Sequence, residues 1–155
     1  MSVNISVPQE YGYVLLTAAS TFFVGFWHAG RVGVFRKPSG IMYPKQYAEN
    51  SDMSAATPEQ KKKMYLFNCA QRAHGNFLEN APSFIPALLV AGLRYPVASS
   101  IMGVGWILSR IAYAIGYTRA DRDDGKGRLV GAPFWLFQIG LYGMVGWSGF
   151  KMLSA

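Results

Sequence analysis

The sequence predicts an all-α, integral membrane four-helix bundle, and three observations lead there. Of 155 residues, 51% are hydrophobic and only 15% are charged, against roughly a quarter charged in an average soluble domain. Long runs without a formal charge recur, the clearest being Tyr11–Gly30 and Leu129–Phe150. Most charges are gathered into the two stretches Arg31–Lys63 and Thr118–Arg128. Residues 1–155 together have the length of one domain.

The first element is the run Tyr11–Gly30, twenty residues that as a helix would reach across roughly 30 Å, one hydrocarbon core. The preceding MSVNISVPQE has no positively charged region, so this run is expected to stay as an anchor and not to be cleaved as a signal peptide. A loop over Arg31–Lys63 follows, holding Pro38, Gly40, Pro44 and Pro58. The second helix is expected over Met64–Leu93. Its first half is polar, its second half apolar, and Pro82 and Pro86 should kink it.

LRYP then makes a tight turn, with Pro96 suited to the first turn of a third helix, Pro96–Tyr117. After the charged loop, the fourth helix is expected over Leu129–Phe150. Gly140, Gly143, Gly146 and Gly149 form a stripe there, suited to close helix packing or simply reflecting glycine's frequency in membrane helices.

Lysine and arginine counts set an orientation. The first and third loops carry eleven (Arg31, Arg36, Lys37, Lys45, Lys61, Lys62, Lys63, Arg119, Arg122, Lys126 and Arg128), whereas the other side has Arg94 and Lys151. By the positive-inside rule the first and third loops are cytoplasmic. The net charge of +7 would otherwise suggest nucleic acid, but the charge does not form a basic stripe alternating with aromatics, so no nucleic-acid partner is expected. One cysteine, Cys69, excludes an internal disulfide and a CxxC site. Two histidines without a carboxylate at ligand spacing argue against a metal.

The polar residues of the second and third helices carry the chemistry. At 100° per residue, Asn68, Arg72, Asn76 and Glu79 fall within about 80° of arc, with Asn80 just beyond. Arg110, Tyr113 and Tyr117 share a face of the third helix. A structural reading pairs Arg72 and Glu79 with each other or with Arg110, since buried charges in membranes are costly. A functional reading is a site for a small zwitterionic ligand: arginine for carboxylate, glutamate for ammonium, asparagine for peptide groups.

Gln71 and His74 point elsewhere. His74 is either a packing residue or part of a site shared with a neighbouring subunit, which would require an oligomer. Cys69 has only Arg72 as a nearby basic residue and reads as an inert buried thiol. His28 reads as a packed residue of the first helix. No GxSxG or glycine-rich phosphate loop is present.

The stretches EYGYVLLTAA (Glu10–Ala19), RKPSGIMYP (Arg36–Pro44), FNCAQRAHGNFLENAP (Phe67–Pro82) and SRIAYAIGYT (Ser109–Thr118) resemble the microsomal glutathione transferases of the third type. These belong to the membrane-associated proteins of eicosanoid and glutathione metabolism. The resemblance covers roughly residues 10–150. It implies a homotrimer of four-helix protomers in the endoplasmic reticulum membrane, binding glutathione between subunits.

Carried over by motif, Arg72, Asn76, Glu79, Tyr113 and Tyr117 match glutathione-binding positions. Arg36, beyond the first helix, and His74 match positions serving the neighbour's site. Asn80 departs from leukotriene C synthases, where a tyrosine stands. The resemblance also implies a catalytic arginine after the third helix, acting on the glutathione sulfur. Arg119, Arg122 and Arg128 are candidates, and Arg128 is favoured because it immediately precedes the expected fourth helix. A cation that lowered a thiol pKa of about 8.5 by two units would be worth about 2.7 kcal/mol and raise the thiolate fraction near pH 7 roughly twentyfold.

The expected function is that of a glutathione transferase with glutathione peroxidase activity, taking a hydrophobic electrophile or lipid hydroperoxide from the membrane lipid. The rival is a non-catalytic lipid-binding scaffold like the lipoxygenase-activating protein. A channel subunit fits less well, because the fourth helix offers only Gln138 at mid-depth.

Overall fold

A computed structural model describes residues 7–154, and these are helical with no strand. The expectation of a retained N-terminal anchor rests partly on residues 1–6, outside the described range. In order, the elements are α1 (Tyr11–Ser39), the short α2 (Asn50–Ser54), α3 (Pro58–Arg94), α4 (Pro96–Tyr117), a 3-10 turn (Lys126–Gly131) and α5 (Phe134–Leu153). The long helices pack side by side: α1 and α4 both lie against α3, and α5 lies against α3 and α4. Their core is Val14, Phe84, Leu88, Trp106, Phe134 and Leu141 with their neighbours. The Phe84 and Trp106 rings stack at 3.8 Å between centroids.

Helices α1 and α3 are longer than their apolar runs. The first was expected to end at Gly30, yet α1 continues to Ser39 and stops where Gly40 takes a left-handed φ of 71°. Its extra turns are held by side chains expected in the loop. Arg31 lies against the Trp27 and Phe35 rings and donates to the hydroxyl of Thr118, the residue that caps the C-terminus of α4. Arg36 is buried in the last turn, so it is not beyond the first helix as the sequence suggested.

Helix α3 starts at Pro58, six residues before the expected Met64. Thr57 caps it, accepting from the Gln60 N–H at 3.3 Å, with Pro58 in the first turn. Thr-Pro-Glu-Gln is a helix-start pattern that the apolar periodicity had hidden. The helix is continuous through Pro82 and Pro86.

Helix α4 matches its expected span, whereas the fourth helix starts late. Leu129 lies in the 3-10 turn, and the helix begins only at Phe134, after Pro133. The glycine stripe of α5 is not a packing seam within the chain. Gly143, Gly146 and Gly149 face open space, and only Gly140 has a close neighbour, Met102.

Large apolar side chains line the outside as well as the core. Phe23 is 76% exposed and Leu136 73% exposed, on faces that water would leave unfavourably solvated. Two segments, Pro96–Tyr117 and Lys126–Leu153, are long and apolar enough to cross a membrane. One polar network crosses the interior. The Trp106 indole N–H donates to Gln138 Oε1 at 2.9 Å, and the Gln138 amide donates to the Ser83 and Tyr142 hydroxyls. These bonds satisfy the mid-helix glutamine and tie α3, α4 and α5 together.

Candidate functional site

Helical spacing brings the polar face of α3 together. Arg72 lies 3.5 Å from Glu79 Oε1, and the Asn76 amide donates to Glu79 Oε2 at 3.2 Å. Both charged side chains are about half exposed, at 52% and 55%, so the pair is open to solvent or ligand and not sealed inside. Behind it sits Arg110 on α4, fully buried, donating to Asn76 Oδ1 at 2.9 Å. Asn76 thus joins the two helices.

The opposite wall comes from α4 and the 3-10 turn. Gly116 and Gly127 press backbone to backbone, and an added Cβ on either would collide with the other's carbonyl. Gly131 is equally tight against the backbone of Tyr113. Only glycine permits this approach, and it holds the turn carrying Arg128 against α4. Arg128 stands over the Tyr117 ring, its guanidinium carbon 5.5 Å from the centroid. Its Nη1 donates to the carbonyls of Asp124 and Gly125 at 3.2 and 3.0 Å. The Tyr113 and Tyr117 rings meet edge to face at 5.5 Å.

Two clefts open among these groups. One of about 190 Å³ is lined by Cys69, Arg72 and Tyr117, with Tyr65 and Gly125 at its side. The other, about 170 Å³, is lined by Asn76, Tyr113, Arg128, Phe134 and Trp135. A family model, that of the MAPEG family, matches residues 14–147, spanning every one of these groups. The chain belongs to the MAPEG family.

This family includes glutathione transferases and activating proteins. Membership, together with the two apolar helices, makes this MAPEG chain a membrane protein. It is also similar to an uncharacterized protein of Synechocystis sp., at 37% identity over 67 residues, 43% of this chain and 49% of the relative. That match spans about half the relative's length.

The structure gathers Arg72, Asn76, Glu79, Tyr113, Tyr117 and Arg128, with Arg110 behind them and Asn68 and Cys69 lining the first cleft, whereas Arg36, His74, Arg119 and Arg122 lie elsewhere. Arg36 Nη1 donates to the Ile41 and Lys45 carbonyls at 3.3 and 2.7 Å, and its guanidinium lies between the Tyr43 and Phe67 rings. Within this MAPEG chain it pins the first loop. His74 faces α1 and stacks on buried His28 at 6.2 Å. Asn68 forms a paired bond with Ala48, accepting from its N–H at 2.8 Å and donating to its carbonyl at 2.9 Å.

Arg119 is engaged by both oxygens of Asp121, and Arg122 projects with its side chain 58% exposed. Arg128 was placed immediately before the fourth helix, but it lies in the 3-10 turn ahead of Phe134. The turn-forming glycines were visible in GKGR and VGAP, but which helix they approach depends on tertiary packing.

Proposed function

We propose that this protein is a membrane-bound glutathione transferase that also reduces lipid hydroperoxides. One observation supports this most: a single fold gathers two cations, an amide, a carboxylate and two phenols around paired clefts. Glutathione has two carboxylates, one ammonium, two peptide groups and one thiol. Arg72 suits a carboxylate, Glu79 the ammonium and Asn76 a peptide group.

Arg128 suits the sulfur. A guanidinium beside a thiol favours the thiolate, and the Asp124 and Gly125 carbonyls hold this one in place. The thiolate attacks an electrophilic carbon, forming a C–S bond as the leaving group departs with its electron pair. Attack on the terminal oxygen of a lipid hydroperoxide instead forms an S–O bond as the O–O bond breaks, leaving a sulfenic acid and an alkoxide that takes a proton from water to depart as the alcohol. The thiol of a second glutathione then condenses with the sulfenic acid, forming the disulfide and releasing water.

Each cleft is smaller than a typical ligand pocket of roughly 300–1,000 Å³, so a second copy of the chain supplies the missing wall. The family resemblance supports a homotrimer of four membrane-spanning helices per chain, in the endoplasmic reticulum membrane, with its first and third loops cytoplasmic. It assigns Arg36 and His74 to the neighbour's cleft. The hydrophobic substrate arrives laterally along the exposed apolar faces.

The test is turnover by the detergent-purified protein with glutathione and, separately, a hydrophobic electrophile and a lipid hydroperoxide. Glutathione-dependent product in both, lost in Arg128→Ala, is the expected result. Glutathione binding without product would favour a scaffold, and neither binding nor product in folded protein would rule out the enzyme.

A further inference from the structure

Arg110 is the least satisfied charge among the described residues. It is fully buried, its Nε and Nη2 have no hydrogen-bond partner, and no carboxylate lies within ion-pair distance. Aromatic rings surround it, with Phe134 at 4.3 Å and Tyr113 at 4.9 Å from the guanidinium carbon, and Trp106 further out at 5.6 Å. An arginine kept so costly at this depth does more than fill space.

Its location shows what it does. Arg110 does not line the second cleft, yet it touches Asn76, Tyr113 and Phe134, which do. A guanidinium can only donate, so the Asn76 atom facing it must be the carbonyl oxygen. That fixes the flip of the amide. The Asn76 NH₂ is then turned toward Glu79, which accepts from it at 3.2 Å.

We propose that Arg110 is a positioning residue that acts through Asn76 on Glu79: it holds the amide by its oxygen, and the amide in turn holds the Glu79 carboxylate in one orientation. This rests on the glutathione reading above, in which that carboxylate takes the ammonium. Without Arg110 the amide keeps its bond to Glu79 but loses the one that fixes its own place, and the two side chains are free to move together.

A double-mutant cycle tests this, with glutathione dissociation constants measured by calorimetry on detergent-purified protein. Arg110→Met fills the aromatic cage without a donor, Asn76→Ala removes the amide, and Arg110→Lys keeps one cationic donor in case the Met variant does not fold. Arg110→Met is expected to weaken binding about tenfold, the worth of one positioned hydrogen bond. Arg110→Lys should recover part of that loss. The double variant should bind no worse than the weaker single variant, because Arg110 acts through Asn76.

Multiplying losses would overturn the proposal, as would unchanged binding in folded Arg110→Met. If Met does not fold, Lys alone decides: weakened binding that Asn76→Ala does not worsen supports the proposal, and wild-type affinity overturns it. No glutathione binding by the wild-type protein would sink the function reading, and this inference with it. Unchanged binding in the variants sinks this inference alone.

Discussion

Gly116 and Gly127 touch backbone to backbone, and that contact sets where Arg128 stands. Helix α4 ends at Tyr117, and the 3-10 turn folds back against its last turn, leaving the Arg128 guanidinium over the Tyr117 ring. No side chain fits between the two strands of backbone. Position in the cleft is thus governed by residues with no functional group of their own.

Gly127→Ala should therefore harm function more than fold. The added methyl meets the Gly116 carbonyl, and the turn must shift. Overpacking of this kind costs about 1–3 kcal/mol, while a displacement of about 1 Å at a reacting group can cost roughly 100-fold in rate. Turnover and thermal unfolding of the same preparation check this. Full activity in the variant would mean that the turn does not set Arg128.

Asn68, at the edge of the first cleft, is expected to govern the first loop. Its amide makes both hydrogen bonds to Ala48 and so fastens the segment after α1 to α3. Asn68→Ala leaves two backbone groups unpaired and should destabilise by about 1–3 kcal/mol. Faster proteolysis within residues 40–57 is the expected outcome, and unchanged protection would contradict it.

Gln138→Leu should lower thermal stability without touching glutathione binding. It orphans the Trp106 N–H and removes the link to Ser83 and Tyr142. Interhelical hydrogen bonds of this type are worth about 1 kcal/mol in membranes. A small fall in melting temperature in detergent, with turnover retained, is expected.

The acid limit of the first loop follows from Asp52. Its carboxyl is held below its ordinary value of 3.8, first by the Lys45 ammonium at 2.8 Å and then by the Glu49 N–H at 3.0 Å. A carboxylate with a depressed folded-state pKa contributes fully above its unfolded value, and the contribution disappears as pH falls through the folded value. Loop protection from proteolysis should thus be flat from neutral pH down to about 4 and fall below it. Asp52→Asn should show the weakened state at every pH.

What was legible in the sequence depended on distance along the chain. Angles on one helix sufficed to place Arg72, Asn76 and Glu79 side by side, because helical geometry is local. Pro96 correctly marked where α4 begins. The ends of α1 and α3 were missed because only their apolar runs were counted, whereas these helices continue past those runs on other supports: Arg31 on the Trp27 and Phe35 rings, and the Thr57 cap. The turn before α5 was missed for a different reason. Leu129 and Val130 read as the start of an apolar helix, but Gly131 is held against the Tyr113 backbone and the helix waits for Pro133. The Arg110–Asn76 bond joins residues 34 apart and could not be read from spacing.

The most direct test of the central claim is the ultraviolet difference absorbance of glutathione thiolate on binding, near neutral pH, in wild type and in Arg128→Ala and Arg122→Ala. A thiolate band in wild type and Arg122→Ala that is lost in Arg128→Ala is the expected result. A band that survives in Arg128→Ala, or glutathione bound by the wild-type protein with no band at all, would contradict thiolate activation by Arg128.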